Sequence, residues 1–86
     1  MSSSQQSIEV RIEGYRDVWV YCEHEDGKLT RPTTEVIAGA RKVADKVGMD
    51  VVGILIGYNL GDLVKEPIYY GADKVIYCDD PRLKDY

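Results

Sequence analysis

The stretch DVVGILIG, residues 50–57, is apolar at almost every position after its first acid. A short continuous apolar run that ends in glycine reads as a strand covered on both faces, since a half-exposed strand would alternate. Upstream, DVWVYC at 17–22 reads the same way and is followed by the turn signal EDGK at 25–28. Downstream, DKVIYC at 73–78 supplies a third strand. Between the first two lies RPTTEVIAGARKVADKVG, 31–48. Pro32 suits a first helical position, and Val36, Ile37, Ala40, Val43, Ala44 and Val47 fall on one helical stripe. Gly48 sits where the residue after a helix reaches positive φ. Between the second and third strands, LGDLVKEPIYYG at 60–71 reads as a poorer helix that Pro67 kinks or ends early.

The resulting order, β-α-β-α-β, predicts an α/β fold: a parallel, three-layer, Rossmann-like sheet with right-handed crossovers and strand order 3-2-1. It is half of a doubly wound sheet, and its outer core strand has no fourth strand beside it. Either further chain after Tyr86 or a partner subunit is expected to complete the layer. Ahead of this core, MSSSQQS reads as a disordered polar leader. SIEVRIEG at 7–14 alternates, with Ile8, Val10 and Ile12 on one face and Glu9, Arg11 and Glu13 on the other. That pattern fits a half-exposed strand or an extended arm laid on a neighbour, able to cover one sheet edge. The expected division is a leader and arm over 1–14 and a partial α/β domain over 15–86.

A chain of 86 residues buries roughly 60–65% of its unfolded surface, so it is marginal without partners. The net charge of −4, with lysines and arginines scattered among acids, argues against a nucleic-acid footprint and against an anionic membrane surface. No apolar run approaches a membrane span, and no apolar segment follows the leader to make a targeting peptide. Two cysteines outside any CxxC arrangement read as reduced thiols. The expectation is a soluble, cytoplasmic chain.

Most of the ligand chemistry lies in CEHED, where Cys22, Glu23, His24, Glu25 and Asp26 are consecutive. In a strand, Cys22 and His24 would share a face, but a structural zinc site needs four ligands from separated clusters. Cys78 is the only other thiol and there is no second histidine. With strand order 3-2-1, Cys22 and Cys78 lie about two strand spacings apart, roughly 9–10 Å, which is beyond disulfide reach. The plainer reading is a strand end followed by an Asp26-Gly27 turn. His24 as a general base lacks a nominated nucleophile or orienting acid. The loop GYNLGD at 57–62 follows the second strand, where open α/β sheets bind ligands. Its glycine spacing matches neither dinucleotide nor phosphate-loop fingerprints, so a tight strand–helix turn is the simpler reading. The seven tyrosines, Tyr69 and Tyr70 among them, read as core and interface residues.

Taken together, VWVYCEHEDGKL (18–29), TTEVIAGARKVADKVG (33–48), VVGILIG (51–57) and YGADKVIYCDDPRLKDY (70–86) resemble the N-terminal domain of the electron transfer flavoprotein alpha subunit. The segment YGADKV at 70–75 is the most specific part. Pro67 departs from the resemblance, because that helix is usually continuous there. The family's alpha subunits also run several times this length and hold FAD in a C-terminal domain without counterpart here. The resemblance therefore implies a fragment of a longer protein or one piece of a split gene. It implies a scaffold and heterodimer interface for the beta subunit, in a carrier that moves electrons from flavoprotein dehydrogenases, such as acyl-CoA dehydrogenases, to further acceptors, with electron bifurcation in some members. No catalytic, cofactor-binding or metal residue carries over, and FAD belongs to the full-length parent. Two other readings stand beside it: a stand-alone nucleotide-binding or protein-interaction module using GYNLGD, and a small enzyme using His24 and its neighbouring acids.

Overall fold

The structure is a computed structural model that describes residues 10–11 and 17–85, with side chains from residue 17 onward. Its elements are β1 (Val10–Arg11), β2 (Asp17–Tyr21), β3 (His24–Glu25), β4 (Lys28–Leu29), α1 (Arg31–Val47), β5 (Asp50–Gly57), α2 (Glu66–Tyr70) and β6 (Lys74–Asp79). Two 3₁₀ turns, Gly61–Lys65 and Pro81–Leu83, follow β5 and β6. The main sheet runs β1-β2-β5-β6. Strands β2, β5 and β6 are parallel, with Val18 beside Val51 and Gly53 beside Val75. The three core strands therefore stand in the predicted order, with the DVVGILIG strand in the middle. Val10–Arg11, the described part of the arm, pairs antiparallel with the outer edge of β2. The leader and the rest of the arm lie outside the described residues.

A monotone strand order with right-handed crossovers places both helices on the same face. The packing agrees, since α1 lies across β2 and β5 while α2 lies against α1 and β6. Val18, Val20, Val51 and Leu55 meet Ile37, Ala40 and Ala44 from α1, and Leu60, Leu63 and Ala72 close the core beyond. The opposite face meets the expectation of strands buried on both sides only in part: Val52 of the middle strand is 1% exposed there, while the flanking strands are more open. Asp17, Trp19 and Tyr21 of β2 point there, and Trp19 keeps 38% of its surface and Ile76 49%. Among the described residues no helix covers that face, so apolar composition on both faces has met only one helical layer.

The helix stripe is narrower than its valines imply. Thr33, Ile37, Ala40 and Ala44 are buried, whereas Val43 and Val47 are 41% and 54% exposed. The core contact runs along positions i, i+4, i+7 and i+11, and the two valines sit on its flank. Pro32 is the second helical residue, preceded by a Thr30 cap whose hydroxyl accepts from the Thr33 N–H. At the other end Gly48 takes the left-handed conformation (φ 73°) and donates to the Ala44 carbonyl, as read from the sequence.

The expected single helix over 60–71 is two pieces. Pro67 does not kink it; it opens a new helix as the second residue of α2, where no intrahelical N–H bond is required. Pro67 is also fully buried, with its Cβ only 3.1 Å from where a Cβ on Gly53 would stand. The glycine in mid-strand thus has a packing reason: α2 approaches the sheet through it.

Candidate functional site

The CEHED segment closes the carboxyl end of the sheet. β2 ends at Tyr21, and Cys22 continues into the core, where its thiol donates to the Val20 carbonyl. Burial pushes the Cys22 thiol up to about 11, so it stays protonated at neutral pH and is a poor nucleophile or ligand. Residues 24–29 form a small hairpin, with His24 opposite Leu29 and Glu25 opposite Lys28. Its turn is Asp26-Gly27, with φ of 52° and 77°, the positive pair that a type I′ hairpin requires. The hairpin is stitched down at several points. His24 Nε2–H donates to the Ile56 carbonyl at 2.9 Å. The Leu29 N–H donates to Glu66 Oε1 at 3.1 Å, and the Glu23 N–H to the buried Thr33 hydroxyl at 3.0 Å. The His24 ring also lies on Gly57, where a Cβ would come within 3.1 Å of it.

Cys22 and His24 are therefore parted: the thiol enters the core and the imidazole packs over the end of β5. Cys22 and Cys78 are both free thiols, the first buried and the second exposed. Among the described residues no group of three histidine, cysteine or acidic side chains is placed to hold a metal.

In the GYNLGD loop, sequence reading missed its main partner, Asp79. The Asn59 N–H donates to Asp79 Oδ1 at 2.7 Å and the Leu60 N–H to Oδ2 at 3.0 Å. The Asp80 N–H returns to the Gly57 carbonyl at 3.0 Å. Asp79 follows the stretch DKVIYC read as the third strand. The usable signal was its place at the end of the neighbouring parallel strand, level with Gly57.

At the opposite end of the sheet, Asp73 joins β5, β6 and α1. Its Oδ2 accepts from the Val51 N–H and from Arg41 Nη1, both at 2.7 Å. Arg41 further donates to the Gly71 carbonyl, and its stem packs on Gly71, whose φ of 129° excludes most other residues. The Val51 N–H bond first, and then Arg41, hold the Asp73 carboxyl below its ordinary value. That stabilisation is full at neutral pH and is lost as pH falls from about 4 through the lower folded-state value. Asp73 is 40% exposed, so solvent screens the pair. Asp73→Ala is expected to cost about 1 kcal/mol. In thermal melts that is a fall of roughly 4–8 °C at pH 7, shrinking as pH is lowered below about 4; a loss that stayed constant through that fall would contradict this account.

With this geometry in hand, residues 18–86 match the electron transfer flavoprotein domain family. The chain belongs to that family. It is 49% identical over 75 residues to the acryloyl-CoA reductase electron transfer subunit beta of Anaerotignum propionicum, covering 87% of this chain and 20% of that protein. It is 43% identical over 72 residues to the electron transfer flavoprotein subunit alpha of Thermoanaerobacterium thermosaccharolyticum, covering 84% and 22%. It is 38% identical over 72 residues to the lactate dehydrogenase (NAD(+),ferredoxin) subunit LctC of Acetobacterium woodii, covering 84% and 17%. The chain thus spans about a fifth of the length of these relatives. In this electron transfer flavoprotein segment, YGADKV supplies the Gly71–Asp73 junction that α1 grips through Arg41. No described helix is long and apolar enough to cross a membrane.

Proposed function

We propose that residues 15–86 are the first part of the N-terminal domain of an electron transfer flavoprotein alpha subunit, and that this segment serves as scaffold and subunit interface. In the longer parent, FAD sits outside this segment, and the protein carries electrons between flavoprotein dehydrogenases and further acceptors without itself being an enzyme. Its partner is the beta subunit, and it works in the cytoplasm. Relatives named as parts of an acryloyl-CoA reductase and of a ferredoxin-linked lactate dehydrogenase support a place in such a complex, with electron bifurcation as one form of it. No residue of the segment takes a catalytic, flavin-binding or metal-binding role.

The observation that carries the scaffold reading is the internal pairing at the carboxyl end of the sheet. His24, for which the sequence offers no nucleophile or orienting acid, commits its Nε2–H to the Ile56 carbonyl. The test is His24→Gln in the longer parent protein, paired with its beta subunit. Flavin content and electron-transfer rate are expected to stay within about twofold of the unaltered protein, while the melting temperature falls. A tenfold loss of rate with flavin and fold intact would make His24 functional and overturn the reading.

A further inference from the structure

We infer that Asp79 is a built-in occupant of the loop after β5: its carboxylate holds residues 57–60 closed and keeps external anions out of this end of the sheet. The loop has the makings of an anion-binding bend. Two successive backbone donors, Asn59 and Leu60, lie beyond a strand's carboxyl end, between Gly57 and Gly61. Both donors are already taken, one by each oxygen of Asp79, at 2.7 and 3.0 Å.

The bend needs such a hold. Gly61 (φ 55°) takes the left-handed region freely, whereas Asn59 (φ 58°), though among the more tolerant residues, is held there at some cost that its bond to Asp79 offsets. The Asp80 N–H bond to the Gly57 carbonyl adds a third tie between β6 and the loop. Asp79 has an advantage over any free anion. It is fixed to β6, so its two charge-assisted bonds form without the loss of translational and rotational freedom that a free ion bears. The side of the sheet where the fold class takes its ligands is therefore filled from within the chain. This holds whether or not the segment is the scaffold proposed above.

The test is amide-resolved NMR on the 86-residue chain. Inorganic phosphate raised to roughly 10 mM, above weak millimolar affinities, is expected to leave the Asn59 and Leu60 amides unmoved. In Asp79→Asn, one charge-assisted acceptor is lost. Hydrogen exchange at those two amides is then expected to speed up by about tenfold or more, while Val51 and Leu55 change little. Saturable phosphate shifts at Asn59 and Leu60 in the unaltered chain would overturn the inference. Unchanged exchange at both amides in a folded variant would do the same. The phosphate titration decides by itself if the variant fails to fold.

Discussion

Leu55→Ala is expected to remove about 2–5 kcal/mol of stability. Leu55 stands on the middle strand, fully buried, with β2 and β6 on either side and α1 across it. A cavity there has parallel strands on both flanks and cannot be filled by moving one of them without breaking its ladder. Domains of this size hold roughly 4–13 kcal/mol in total, so the loss is a large share of the whole. Urea unfolding followed by circular dichroism measures it. Val43→Ala on the exposed flank of α1 is the matched control, expected to cost under about 0.5 kcal/mol. Equal costs at the two positions would mean that the helix meets the sheet through another stripe.

Gly53→Ala should cost about 1–3 kcal/mol through overpacking. The added methyl would meet Pro67 Cβ at 3.1 Å and Cys22 Sγ at 3.3 Å. Neither is the loose end of a flexible side chain: Pro67 is locked by its ring and by the start of α2, and Cys22 lies in the core. The strain has to be relieved by lifting α2 from the sheet, which also pulls Glu66 from the Leu29 N–H. The expected result is a lower urea midpoint together with faster exchange of the Leu29 amide. A neutral or stabilising substitution would show that α2 is not held against β5, and that Gly53 has no packing reason to be small.

These two sites mark where sequence reading succeeded and where it stopped. The three apolar strands, their order, α1 with its Gly48 terminus, and the Asp26-Gly27 turn all follow from local patterns with one physical meaning each. Gly53 and Pro67 looked like separate weaknesses, a glycine in a strand and a proline in a helix; only their contact across the fold explains both. The stripe on α1 was read too wide because Val43 and Val47 are as apolar as Ile37. Continuous apolar strands predicted cover on both faces, but whether a second layer is present depends on chain beyond the local pattern. In the candidate site, the plain reading of CEHED as a strand end and turn agrees with the observed hairpin, while its ties to Ile56, Thr33 and Glu66 were hidden by sequence separation. Asp79 was missed for the same reason, since its partners lie 19 and 20 residues away.

The central claim is that this electron transfer flavoprotein segment is scaffold and holds no flavin of its own. Calorimetric titration of the chain with FAD tests it most directly. The account predicts no saturable heat up to about 100 μM ligand. Saturating binding of one FAD per chain would contradict it and place a flavin site within these 86 residues.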